Sequence, residues 1–321
     1  MIPDRRCAVG LMSYLILFLL PDGSAKNISA KGQTLSITAL EVLTVSPSSR
    51  CMRQSDTGPL LRLIDLAFGL FRSPAGTLRV SVAIVYGIIC HFTFAAAVLA
   101  MMIAMFYGMA ETFGRVQAPW SIFANAMLVL QFPVVHSLLL SHRGARALAK
   151  LAPRAFGTTL VTTIYATIAS GQLLALFVFW TPSGVIWWEA EGAAFAIICC
   201  LYMVSWMLLI WASYDAGAEV QSGALGWMSL VQNIKPVFPN MPTKGLFSVI
   251  RQPIYVSFAL TTWTVPVWTP DQFCLAIALT TYCLLAPQLK ESRFSKRYGA
   301  EFETYKRNVP YAVPRICRSK N

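Results

Sequence analysis

Gly245-Leu246-Phe247-Ser248-Val249-Ile250-Arg251-Gln252-Pro253-Ile254-Tyr255 joins a polar loop to an apolar segment. Arg251 closes the loop with a positive charge. Pro253 stands two residues later, where the first turn of a helix tolerates its missing N–H. From Ile254 to Cys283 the chain is almost wholly apolar, and a polar tail with Glu291, Arg293, Glu301, Glu303, Lys306 and Arg307 follows. A cation at a membrane entry point, with acidic residues just beyond the exit, suits a charged ligand held at the bilayer surface.

Outward from this stretch the chain reads as membrane-embedded. Of 321 residues, 56% are hydrophobic and 12% charged, half the roughly 25% of a soluble domain. Mean hydropathy is +0.58. The fold class expected is an all-α polytopic membrane helical bundle of about six spans, the last two a short helical hairpin. The net charge of +12 lies in segments that flank apolar runs, so it marks inner loops and excludes a nucleic-acid stripe. The eight cysteines form no CxxC pair, and five (Cys90, Cys199, Cys200, Cys274, Cys283) sit in apolar runs. Neither a disulfide framework nor a metal site is expected.

The apolar run Cys7–Leu20 is short for a span and has the form of a signal-peptide core. The Arg-rich segment after it favours the inner side instead, so residues 1–78 are expected to be a poorly ordered extension, with Met52 an alternative start. Leu60 to Phe71 suits a short helix along the membrane surface. Spans are expected near Val80–Met109, Trp120–Leu140, Thr158–Trp180 and Ala193–Ser213, giving a four-helix membrane bundle over 79–214. Trp180, Trp187 and Trp188 read as interface anchors. A unit over 215–321 then holds a long proline-punctuated loop, the hairpin Pro253–Trp268 with Asp271–Leu289, and the tail. Basic segments alternate with acidic or neutral ones in a pattern that places both termini in the cytoplasm of a bacterial inner membrane. No internal repeat suggests a transporter.

Arg251-Gln252-Pro253-Ile254-Tyr255, an apolar hairpin, Glu291, then Tyr298-Gly299, Tyr305 and Val309-Pro310 resemble the C-terminal signature of integral-membrane methyltransferases related to isoprenylcysteine carboxyl methyltransferase. Upstream, Tyr86-Gly87, Gln131 with His136-Ser137, and Pro182 to Trp188 resemble the nurim-like subgroup that holds bacterial methanethiol S-methyltransferases. The resemblance covers about residues 79–315 and implies an S-adenosylmethionine-dependent enzyme that methylates a small thiol, methanethiol to dimethyl sulfide. It equally accommodates a lipid or prenyl-cysteine carboxylate as acceptor, or a non-enzymatic nurim-like membrane protein. By the resemblance, Arg251, Gln252, Tyr255, Glu291 and Tyr305 bind the cofactor. Two departures stand out: the family's histidine is Gln252, and Lys290 occupies the place of a first glutamate.

The residue types support this reading by their chemistry. Arg251 suits a carboxylate, Glu291 an ammonium or ribose hydroxyl, and Tyr255, Tyr298 and Tyr305 a wall. Arg251 equally suits a membrane-surface anchor, and Glu291 a solvated helix end. His136, near the inner end of its span, is the candidate catalytic residue for the thiol proton; a histidine hydrogen-bonded between helices fits it as well. His91, deeper in its span, reads as that structural kind. The partners expected are a small hydrophobic thiol and the lipid bilayer. No nucleic acid is expected, and no protein partner is inferable.

Overall fold

The computed structural model describes residues 58–315. The apolar run Cys7–Leu20 and the alternative start at Met52 lie outside the described residues. Among the described residues the fold is helical: α1 (Pro59–Leu70), α2 (Thr77–Phe106), α3 (Trp120–Leu139), α4 (His142–Ala149), α5 (Gly157–Phe179), α6 (Gly192–Asp215), α7 (Ala218–Gln221), α8 (Ala224–Gln232), α9 (Pro253–Trp263), α10 (Pro270–Tyr298) and α11 (Ala300–Asn308). Strands β1 (Trp188–Glu189) and β2 (Val267–Trp268) pair antiparallel. Among the described residues, five helices, α2, α3, α5, α6 and α10, are long and apolar enough to cross a membrane. Ile88, Phe92 and Leu99 on α2 are exposed, as lipid-facing side chains are.

Two apolar clusters hold the bundle. Met101 and Met105 of α2, Leu176 and Phe177 of α5, Trp206 of α6 and Leu275 of α10 form one. Ala83, Leu160, Ile164, Leu148 and Leu230, from α2, α5, α4 and α8, form the other. The N-terminal halves of α2 and α5 share one cluster and their C-terminal halves the other, so these two spans run in the same direction. Within the spans, Gln131 and Gln172 exchange amide bonds of 2.6–3.0 Å between α3 and α5. Such bonds tie two helices together where water is absent.

The terminal hairpin differs from the expected pair of similar short helices. α9 has 11 residues and α10 has 29. The first arm stops at Trp263 and finishes as extended chain, because β2 pairs with β1 and Trp187 N–H donates to Trp268 C=O at 2.8 Å. Thr269 hydroxyl bonds the Gly108 carbonyl and caps α10 by accepting from Gln272 N–H at 3.0 Å. The hairpin tip therefore lies with the loops that follow α2 and α5. The second arm runs through the polar residues 290–298 and ends only at Gly299, whose φ of +53° an L side chain resists.

Trp180 is a correction as well. It is 4% exposed, and its indole N–H donates to Asp271 at 3.0 Å, while the same carboxylate accepts from Ser183 N–H at 2.8 Å. Trp180 thus ties α5 to α10, and only Trp187 and Trp188 remain exposed.

The expected long loop after α6 contains α7 and α8, and α8 packs on α1, α2 and α5. Gly223, at φ +77°, starts α8, and a Cβ there would meet Ala166 Cβ at 2.6 Å and Cys90 Sγ at 2.8 Å. Thr163 hydroxyl donates to Gly223 C=O at 2.7 Å and accepts from Trp227 N–H at 3.0 Å. Within the N-terminal extension, the short helix expected over Leu60 to Phe71 is α1. Its Arg62 is buried against the buried Glu219 of α7, and its Leu66 is buried too.

Candidate functional site

The start of α9, the polar end of α10 and the segment after α11 meet at one place. Arg251 N–H donates to Pro310 C=O at 2.9 Å and Gln252 N–H to Tyr311 C=O at 3.1 Å. The chain end thus straps the turn that leads into Pro253. Arg251 Nε donates to Glu291 Oε1 at 2.9 Å, and Nη2 reaches Oε2 at 3.4 Å. Its Nη1 donates to the carbonyls of Lys306 and Val309, at 3.0 and 2.6 Å, at the C-terminal end of α11. A cation there also meets the negative end of the helix dipole. Gln252 Nε2 donates to Glu291 Oε1 at 2.8 Å.

These groups border a narrow cavity lined by Arg251, Gln252, Lys290, Glu291, Phe294 and Tyr305, among others. As the side chains stand it has room for about one water molecule. Gln252 is 4% exposed, and its Oε1 is buried with no hydrogen-bond donor among the described residues. A buried acceptor left empty costs about 1–3 kcal/mol. The cavity therefore presents a carboxylate, a lysine ammonium and an unsatisfied amide oxygen to whatever enters it. Tyr305 closes one wall and is fixed by its hydroxyl, which donates to Phe247 C=O at 2.6 Å. Burial pushes the Tyr305 phenol well above its ordinary pKa, so it stays a neutral donor.

Of the residues singled out in the sequence, Arg251, Gln252, Glu291 and Tyr305 come together here. Tyr298 does not line the cavity; it sits at the end of α10 beneath Arg297. Tyr255 does not line it either. It stands one turn beyond Gln252, whereas His136 lies in a second cluster. Tyr165 hydroxyl lies 2.6 Å from His136 Nε2 and 2.9 Å from its Nδ1. His136 stacks on Phe132 with ring centres 5.0 Å apart, and Phe132 meets the Tyr282 ring edge-on at 5.9 Å. Helices α3, α5 and α10 thus bring Phe132, His136, Tyr165 and Tyr282 into one aromatic cluster. The Tyr311 ring lies 5.4 Å from the Arg251 guanidinium, and its hydroxyl donates to Leu284 C=O at 3.1 Å. Its phenol is pushed up to about 12, first by burial and then by the Glu291 charge.

Sequence reasoning missed Tyr165, Tyr282 and Tyr311. Lys290 stood out only as a departure, in the place of a first glutamate. The tyrosines were masked by their position in or beside apolar runs. His91 is structural, as read: its Nε2 accepts from the Trp227 indole N–H at 3.0 Å.

No protein-family model matches the chain, and no solved structure matches it. Curated proteins do. The methanethiol S-methyltransferase 2 of Bradyrhizobium diazoefficiens is 26% identical over 196 residues, 61% of this chain and 74% of that protein. The methanethiol S-methyltransferase of Pseudomonas deceptionensis is 23% identical over 202 residues, covering 63% and 76%. Nurim of Rattus norvegicus is 29% identical over 174 residues, covering 51% and 64%. With its all-helical membrane architecture and these similarities, the chain is a relative of the bacterial methanethiol S-methyltransferases and of nurim, in the isoprenylcysteine carboxyl methyltransferase-like group of membrane methyltransferases.

Proposed function

We propose that this protein is an S-adenosylmethionine-dependent membrane methyltransferase whose acceptor is a small thiol, methanethiol, and whose product is dimethyl sulfide. The observation that carries the reading is the buried Arg251–Gln252–Glu291 constellation beside an orphaned Gln252 Oε1. The donor's amino-acid end bears both an ammonium and a carboxylate. An anion, an empty acceptor and a cation side by side fit such a zwitterion. When bound, the donor supplies an electrophilic methyl group on a sulfonium centre.

Arg251 and Gln252 hold the Glu291 carboxylate in one orientation at the cavity wall, and Tyr305 closes that wall. In the aromatic cluster, His136 accepts the thiol proton at a ring nitrogen in place of the Tyr165 hydroxyl, which lies 2.9 Å from Nδ1 and 2.6 Å from Nε2, and the Phe132 ring stacks on the imidazole. The thiolate so formed is the nucleophilic form of the acceptor. Aromatic walls exclude water and leave alignment as the main source of rate. A small apolar thiol reaches such a cluster through the lipid.

The basic stretch from His142 to Arg154, Lys235 and Lys244 flank the spans on the Arg251 side, whereas Glu111, Glu189 and Glu191 stand in the opposite loops. That asymmetry supports an inner-membrane location with the cavity and both termini in the cytoplasm, where the soluble donor is found.

Headspace sulfide analysis of a heterologous host fed methanethiol tests the reading. Dimethyl sulfide is expected only with the gene, and equal release without it rejects the acceptor. His136→Ala is expected to lower release by about 100-fold or more, the usual contribution of a positioned base. Tyr165→Phe removes only the orienting hydroxyl, and a smaller loss, about tenfold, is expected. Wild-type turnover in His136→Ala would leave the histidine a purely structural group.

A further inference from the structure

Lys290 is the unspent cation of the polar cavity. Each nitrogen of the Arg251 guanidinium already donates: Nε and Nη2 to Glu291, and Nη1 twice to carbonyls at the end of α11. Arg251 is 9% exposed and planar, so it cannot turn toward a ligand without breaking those bonds. Lys290 lines the same cavity. Its ammonium lies 5.6 Å from the Phe247 ring centre and 5.4 Å from that of Phe294, and among the described residues it has no oxygen partner. Two aromatic faces steady a cation without neutralising it. A desolvated ammonium held this way takes an anion strongly, because charge-assisted bonds gain in a low-dielectric site. Across the cavity, Gln252 Oε1 waits for a donor, and Glu291 supplies the negative charge beside it. The polarity of the cavity thus has a direction: cation at Lys290, acceptors at Gln252 and Glu291.

We propose that Lys290, and not Arg251, binds the α-carboxylate of the methyl donor, while Gln252 Oε1 and Glu291 take the hydrogens of its α-ammonium. Arg251 is then a positioning residue that fixes Glu291 and clamps α11. The inference rests on the methyl-donor reading above and assigns the direction in which the donor's amino-acid end lies. It also explains the glutamine at 252: a neutral amide has one oxygen to give the ammonium and one N–H₂ to give Glu291, and it does both here.

The test is calorimetric binding to the full chain in nanodiscs, with S-adenosylhomocysteine and its decarboxylated amine as probes. Wild type is expected to bind S-adenosylhomocysteine about ten- to a hundredfold more tightly than the amine, the worth of one charge-assisted bond. Lys290→Gln is expected to lose that factor while its affinity for the amine stays at the wild-type value. Lys290→Arg is expected to restore part of the preference. Arg251→Gln is expected to weaken both probes together. The inference is overturned if wild type fails to distinguish the probes, if Lys290→Gln keeps the preference, or if it weakens both equally, the mark of a merely structural lysine. Binding of neither probe to wild type would instead remove the methyl-donor reading itself, and this inference with it.

Discussion

Replacing Glu291 with glutamine is expected to abolish methyl transfer, with dimethyl sulfide release falling at least about 100-fold and S-adenosylhomocysteine binding falling with it. The carboxylate is clasped by Arg251 at 2.9 Å and by Gln252 at 2.8 Å, with the two ion-pair side chains only 9% and 13% exposed. An amide of the same shape keeps one oxygen but loses the charge. Arg251 is then a buried cation with no counter-ion, and breaking a buried pair from one side costs about 3–5 kcal/mol. Because Arg251 Nη1 also holds the last carbonyls of α11, the loss is expected to spread to the strap over Arg251 and Gln252. Hydrogen exchange at the amides of Arg251 and Gln252, which bond Pro310 and Tyr311, should rise. Glu291→Asp keeps the charge on a shorter stem and is expected to retain part of the binding. A Glu291→Gln protein whose donor affinity stays within threefold of wild type would show that the cavity is not where the donor sits.

The second large effect concerns stability. Arg62→Ala is expected to destabilise the protein by about 3–5 kcal/mol, read as a fall in melting temperature in detergent. Arg62 and Glu219 have side-chain exposures of 6% and 0%, and the second carboxylate oxygen of Glu219 has no other partner. Removing the guanidinium leaves a bare carboxylate in an apolar contact between α1 and α7. The double variant Arg62→Met with Glu219→Leu removes both charges and is expected to recover most of the loss, because a buried pair barely exceeds its own desolvation cost. Equal melting temperatures for Arg62→Ala and wild type would mean that α1 is not needed to hold the inner end of the bundle. Activity is a separate readout: Arg62 belongs to neither the cavity nor the aromatic cluster.

Apolar runs interrupted by charged loops are enough to define α2, α3, α5 and α6 to within a few residues, because length and hydropathy alone decide whether a segment can cross a bilayer. The Arg251-Gln252-Pro253 entry and Glu291 were legible for a related reason: a charge beside a long apolar run must be explained, and there are few of them. The sequence could not show that these two side chains are already bonded to each other. That pairing comes from the hairpin, which turns through β2 and returns α10 past the start of α9. Nor could it show that Arg251 spends its remaining N–H group on carbonyls at the end of α11. Trp180 illustrates the same limit from the other side. Its composition signal matches an interface anchor, yet Asp271, 91 residues away, draws it inward.

Composition and hydropathy therefore determined that this chain is a helical membrane protein and where its spans begin and end, since those depend on local transfer free energy. Which polar groups share a cavity, which are satisfied and which still seek a partner was decided only by tertiary structure. Those properties depend on distances between helices remote in the chain, and no run of neighbouring residues encodes them.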